Sequence, residues 1–326
     1  MAEDMRAVIV TEHGNVDVLE VQDRPMPHVG AGELLVRVAA SGVNFIDVYQ
    51  REGIYPGTTP FGLGMECAGE VLAVGDGVDG VSVGDVVATA EGHGTHATVS
   101  VVEAAKAVPV PDGVASDVAA AAMLQGMTAH YLVHSTYPVR EGDDVLVHAA
   151  AGGVGQLLVQ MVKAQGARVI ATVGSAAKVA VASAAGADHV IRYDEVDELA
   201  AAVREIVPDG VHVAYDGVGK ATFDASMGSL RRRGTLALFG AASGPVPPVD
   251  PQRLNRGGSL FLTRPTLAHY TATREELLER AGDVLTAVLE GTLSIAIGGR
   301  YRLDDVARAY RDLEGRATTG KLLLEP

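Results

Sequence analysis

The sequence predicts an α/β protein in which a doubly wound parallel sheet is inserted into a mostly β domain. Three observations carry the prediction. Valine-rich runs broken by glycine and proline fill the chain to about Val118, βα units repeat from about Asp117 onward, and a short helix-and-strand tail returns after Pro265. A chain of 326 residues also exceeds what one hydrophobic core usually serves, so two domains are expected.

The first region reads as strands at RAVIV, ELLVRVAASG, CAGEVLAVG, GDVVATA and HATVSVV, with helical spacing only in NFIDVYQREG (Asn44–Gly53). That pattern suits a largely antiparallel β domain. DVAAAAMLQGMTAHYLVHS then spaces its apolar residues as a helix does. Strand-like runs follow at DVLVHA, RVIATV, HVIRY, VHVAYD, TLALFG and LFLTRP, with helical runs between the first five. Continuous apolar strands alternating with helices predict a parallel sheet covered on both faces, and six strands fit the doubly wound dinucleotide-binding architecture. TREELLERAGDVLTAVLEG reads as an amphipathic helix, and the tail beyond it is too short for a third domain. The expected division is residues 1–122 with 267–326 for the β domain and 123–266 for the insert, with an active-site cleft between them. Arg231-Arg232-Arg233 should close the helix before Gly234 as a cationic cap.

Composition narrows the function. A formal net charge of −15 repels phosphate backbones and argues against a nucleic-acid partner. One cysteine, Cys67, rules out a disulfide framework within the chain and is expected as a small core residue. No apolar run approaches the roughly 20 residues of a membrane span, and MAEDMRAVIVTEHG lacks the form of a secretory signal, so a cytoplasmic location is expected.

Ala150-Ala151-Gly152-Gly153-Val154-Gly155 is a variant of the dinucleotide-binding turn, set between a strand and a helix. Gly152 keeps a Cβ away from a pyrophosphate, the helix starting near Gly153 offers that anion its positive end, and Gly155 permits close helix–strand packing. About 20 residues on, where an NAD site places an acid, the second strand ends at Gly174-Ser175. An acid there would repel a 2′-phosphate, whereas the Ser175 hydroxyl and Lys178 ammonium would attract one, with Tyr193 at a similar edge. The expected cofactor is NADPH.

With those residues in place, the chain resembles the zinc-independent medium-chain dehydrogenases/reductases, specifically the zeta-crystallin type of NADPH:quinone oxidoreductase. SGVNFIDVYQREGIYP, FGLGMECAGEVLAVG, HAAAGGVGQ, TVGSAAK, AYDGVG, LFGAASGPV, LFLTRP and RATTGK carry the likeness. It implies a Rossmann domain inserted into a GroES-like catalytic domain, and a homodimer paired through the edge strand Ser259–Thr263. It also assigns cofactor contacts to Asn44, Thr128, Gly152, Gly153, Val154, Ser175, Lys178, Tyr193, Phe239, Gly240, Phe261, Thr263, Arg264 and Arg316. Relatives often carry lysine where this chain has Gln125.

The positions that bind catalytic zinc in related alcohol dehydrogenases hold Asn44, Met65 and Gln125, so no metal is expected. His93 and His96 are expected as two solvated loop histidines. Without a Lewis acid, reduction of an electron-poor acceptor is better supported than alcohol oxidation: nicotinamide carries the hydride, and the protein aligns the acceptor and donates a hydrogen bond to its oxygen. Asn44, Tyr49, Tyr55 and Thr128 are the candidate catalytic residues. The expected substrate is a quinone, the alternatives being an enone or alkenal, or a cofactor-retaining binding protein without turnover.

Overall fold

Alternation along the first strand organises the β unit. Val8 and Val10 point into a core shared with Val43, Leu63, Tyr310 and Leu322, while Ala7 and Ile9 face the opposite side beside Ala97. The structure is a computed structural model that describes residues 4–326. Its strands begin with β1 (Asp4–Val10), β2 (Leu19–Pro25), β3 (Glu33–Val43), β4 (Phe61–Gly62), β5 (Glu66–Val74), β6 (Val86–Thr89), β7 (Val99–Glu103) and β8 (Val108–Pro109). β1 pairs antiparallel with β2 and β4, and β3 lies antiparallel to both β5 and β7. Two helices interrupt this region, α1 (Phe45–Arg51) and α2 (Ser116–Tyr131).

The insert is a parallel sheet. β9 (Asp144–Val147), β10 (Arg168–Val173), β11 (His189–Arg192), β12 (Val211–Asp216), β13 (Leu230–Leu238) and β14 (Phe261–Thr263) lie in the order β11–β10–β9–β12–β13–β14, every neighbouring pair parallel. α3 (Gly153–Ala164), α4 (Ala176–Ala184), α5 (Leu199–Ile206), α6 (Phe223–Ser229) and α7 (Gln252–Arg256) make the connections. The order reverses between β9 and β12, and the carboxyl ends of strands at such a switch form a ligand crevice. β9 and β10 are buried along nearly their whole length, which explains their unbroken apolar reading.

The chain then returns to the first unit through α8 (Arg274–Leu289), β15 (Ile297–Arg302), α9 (Val306–Glu314) and β16 (Lys321–Glu325), which pairs with β3. The units are Met1–Met127 with Thr271–Pro326, and Thr128–Tyr270.

Three sequence expectations change. Arg231–Arg233 do not cap a helix: α6 ends at Ser229, the buried Leu230 draws the chain into β13, and the pairing register jumps from Val211↔Leu230 to Val213↔Thr235. The arginines form an exposed bulge, with Arg233 at φ 58° donating its N–H to Gly258 O. The edge strand is shorter than expected, Phe261–Thr263, because Ser259 turns at φ 58° before it. His96 is fully buried, and only His93 is exposed.

The glycine turn depends on a close approach. Ala149 takes the left-handed conformation (φ 50°), and a Cβ on Gly155 would lie 2.3 Å from Ala149 O. Gly155→Ala is therefore expected to destabilise the protein by about 1–3 kcal/mol in urea denaturation, the range of an overpacked interior; an unchanged midpoint would contradict that packing.

Candidate active site

The predicted cofactor residues of the Thr128–Tyr270 unit gather mainly at the carboxyl ends of its strands. Gly152 is the N-cap of α3 and leads with Gly153 and Val154 into the helix start, all three partly accessible. At the end of β10, Ser175 caps α4 by position, yet its side chain makes no capping hydrogen bond. Tyr193 follows β11, and its hydroxyl lies so close to Gly174 that a Cβ there would meet it at 2.2 Å. A second close approach joins the neighbouring strands: a Cβ on Gly217 would meet the Phe239 ring at 2.8 Å, and one on Gly240 would meet Gly217 O at 2.3 Å. Thr263 ends β14 and Arg264 follows it, donating to Leu238 O. Phe261 stands apart, 60% exposed at the start of β14. Thr128 is buried within α2.

Beneath the turn runs a buried polar chain that the sequence reading missed. Asp216 accepts hydrogen bonds from the Val218 and Gly219 N–H groups, from Thr222 Oγ1 and from Ser226 Oγ (2.7 Å). Ser226 spends its one hydroxyl proton on Asp216, so it can only accept from His148 Nε2 at 2.9 Å. The His148 proton is thereby placed on Nε2, and Nδ1 accepts from Thr172 Oγ1, also at 2.9 Å. Burial pushes the His148 pKa down, against the opposing pull of Asp216. The neutral ring ties the carboxyl ends of β9, β10 and β12 together where the glycine turn begins.

In the β unit a second buried cluster surrounds Asn44. Its amide donates to Gly42 O (3.0 Å) and Glu66 Oε2 (2.9 Å), and its Oδ1 accepts from Lys321 Nζ (2.6 Å). Lys321 also donates to Glu66 Oε2, and Glu66 Oε1 accepts from Leu124 N–H. Lys321 and Glu66 are almost wholly buried. Both Asn44 donors are thus committed, so its side chain keeps only acceptor capacity for a ligand. Asp47 Oδ2 accepts from Asn44 N–H and from Tyr310 Oη, whose oxygen meets His96 Nε2; His96 Nδ1 meets Ser41 Oγ. Burial, then the Asp47 charge, holds the Tyr310 pKa well above its usual value. Cys67 is buried and its thiol pKa is pushed up to about 12, chiefly by burial, as befits a packing residue.

These surroundings do not suit zinc. The Asn44 amide N–H groups are committed, Met65 carries a thioether that accepts from Gln50, and Glu66 already has a cation in Lys321. Among the described residues no group of three or more His, Cys, Asp or Glu is placed to hold a metal.

A cavity of about 620 Å³ opens in the β unit, with Gln50, Tyr55, Met65 and His93 among its lining residues. Tyr55 is 39% exposed and meets the buried Tyr49 edge-on, ring centroids 5.6 Å apart. Of the predicted acceptor-side residues, Tyr55 alone both lines the cavity and presents an accessible phenol. Arg316, in the same unit, is exposed at φ 54°.

The comparisons follow this division. Residues 153–283 match the zinc-binding dehydrogenase family and residues 30–112 the alcohol dehydrogenase GroES-like domain. The chain is 43% identical to the quinone oxidoreductase of Salmonella typhimurium, over 97% of this chain and 98% of that one. It belongs to the quinone oxidoreductase family of medium-chain dehydrogenases/reductases. A mycobacterial protein solved with NADPH superposes with a TM-score of 0.96 at 52% identity, covering 99% of this chain and 100% of that one. Escherichia coli quinone oxidoreductase, also solved with NADPH, gives 0.96 at 40% identity, covering 98% and 100%. The family's Rossmann and GroES-like parts are both present, and no described helix is long and apolar enough to cross a membrane.

His148 generates a pH prediction. Its folded pKa is depressed, so the unfolded chain binds the extra proton and stability falls as pH drops below about 6.5, the ordinary histidine range. Urea titrations between pH 7.5 and 5 should give His148→Gln a slope shallower than the parent's by up to about 1.4 kcal/mol per pH unit. Parallel slopes would assign the acid sensitivity elsewhere.

Proposed function

We propose that this protein is a metal-independent, NADPH-dependent quinone reductase. The observation that carries the reading is its near-full-length likeness to quinone oxidoreductases and to structures solved with NADPH. The carboxylate-free end of β10 supports the choice of cofactor. Gly174-Ser175 stand where an acid would repel a 2′-phosphate, and Lys178 lies in the first turn of α4.

In this reading the start of α3 binds the pyrophosphate through Gly152, Gly153 and Val154, and Ser175, Lys178 and Tyr193 hold the 2′-phosphate. Phe239, Gly240, Thr263, Arg264, Thr128 and Arg316 complete the cofactor contacts, with Asn44 contributing through the remaining lone pair of Oδ1. Bound NADPH supplies a hydride equivalent to the quinone. The chain's own part is to exclude water, align the acceptor and stabilise the charge that grows on the quinone oxygen. Tyr55 is the donor best placed for that oxygen, with Tyr49 holding its ring. The single proton that completes the hydroquinone comes from water. Lys321 neutralises Glu66 and keeps the Asn44 amide from turning. The same reading makes the protein a cytoplasmic homodimer, joined along the outer edge of β14, where Phe261 is exposed.

Stopped-flow oxidation of NADPH and NADH with 1,4-benzoquinone, 9,10-phenanthrenequinone and a simple alkenal tests reaction and cofactor together. Fast quinone reduction with NADPH is expected; a quinone rate no better than buffer beside rapid alkenal turnover would reverse the substrate assignment. Lys178→Ala should weaken NADPH binding by about 1–2 kcal/mol, the scale of one charge-assisted hydrogen bond, and leave NADH nearly untouched. Equal losses for both would contradict the phosphate site.

A further inference from the structure

The cavity wall carries a fixed positive charge. Antiparallel register sets Arg24 of β2 opposite Met5 of β1, so both side chains leave the face of the ladder that also bears Ala7 and Ile9. All four residues line the cavity of about 620 Å³. Gly62 pairs with Ile9 and leads on to Met65, whose thioether meets the Gln50 amide at 3.4 Å. Met5 and Ile9 are separated by about 13 Å of extended strand. Arg24 therefore stands toward one end of the cavity, and Gln50 and Met65 toward the other.

The Arg24 charge has no internal counterpart. Among the described residues, no aspartate or glutamate lines the cavity, and no carboxylate forms a salt bridge with Arg24. The two acids of β2 itself are engaged otherwise. Asp23 lies on the opposite face against Arg6 (3.9 Å), and Glu20 accepts from Gln22 (2.8 Å). The whole chain holds 41 acidic residues against 26 lysines and arginines, so this wall reverses the sign of the molecule locally. Tyr55, Thr58 and His93 add neutral polar groups to the same lining. A guanidinium stays charged at every working pH, and its planar fork of donors matches a carboxylate at two points. Such a wall selects a polar occupant with an acidic group.

We infer that the acceptor is a quinone bearing an acidic substituent, which Arg24 binds while the quinone carbonyl lies toward Tyr55. The inference rests on the quinone reductase reading and adds the substrate class to it. An uncharged quinone leaves the guanidinium to water and gains nothing from it. Arg24 is exposed, so water screens the attraction and its scale is that of a surface ion pair.

The test compares 9,10-phenanthrenequinone-2-carboxylate with its methyl ester, which keeps the ring system and removes the charge. Steady-state kcat/KM is measured with NADPH. Phenanthrene-2-carboxylate and its methyl ester, which accept no hydride, are titrated calorimetrically so that binding is read apart from turnover. In both measurements the parent protein should favour the acid by about three- to fivefold, the upper part of the range for an exposed ion pair. Arg24→Gln should bring that ratio to one or below, and Arg24→Glu should favour the ester. The ester itself should stay within about twofold in all three proteins. Arg24 lies on an edge strand with its side chain exposed, so both variants should fold.

Equal or poorer handling of the acid by the parent, with the ester still reduced, would overturn the inference while the reductase reading stands. A preference for the acid that survives in both variants would place the anion elsewhere and also overturn it. Tighter binding of phenanthrene-2-carboxylate that both variants abolish, with no quinone reduced, would keep the anion subsite and remove the reductase reading.

Discussion

A buried ammonium and a buried carboxylate hold the β unit's polar centre in place. Lys321 and Glu66 are both removed from water, and two such charges are tolerated only when hydrogen bonds beyond their own pairing replace the lost solvent. Those bonds are present. Asn44 takes one Lys321 proton and returns an N–H to Glu66, and Glu66 reaches across to the Leu124 N–H of α2. Removing either charge would leave the other buried and unpaired, which typically costs about 3–5 kcal/mol. The pair therefore ties β5, β16, α2 and the N-cap of α1 into one arrangement. It also occupies the chemical role a metal would take, because the positive charge facing Glu66 is already supplied by the chain.

The nucleotide unit solves a comparable problem with neutral groups. Its glycine turn needs a close backbone approach at Gly155, Gly240 packs as closely on Gly217 after β12, and both must be held at the point where the sheet order reverses. The chain from Thr172 through His148 and Ser226 to Asp216 provides that hold with a single consistent set of proton positions. A directional chain of this kind is rigid, since reversing one donor would leave two groups facing each other without a proton between them.

The sequence exposed the parts of the design that are local. The βα repeats, the glycine turn and the acid-free end of β10 are each written within about 30 residues, and strand–turn–helix physics reads them directly. Long-range partnerships were hidden. Lys321 and Glu66 are separated by 255 residues, Tyr310 and His96 by 214. Nothing in RATTGK marks its lysine as buried, and nothing in EGHGTHAT distinguishes the exposed His93 from the buried His96. The arginine run misled for a related reason: charge suggested a helix end, but the burial of Leu230 beside it started a strand.

By itself, then, the sequence determined the fold class, the family, and the position of the nucleotide turn, because periodicity and glycine placement are properties of neighbouring residues. Tertiary structure alone decided which polar side chains are spent internally and which keep donors for a ligand. Asn44 changed from presumed donor to committed amide, and Tyr55 became the accessible phenol on a cavity wall. The physical reason is that a hydrogen bond depends on where its partner lies, and those partners came from distant strands.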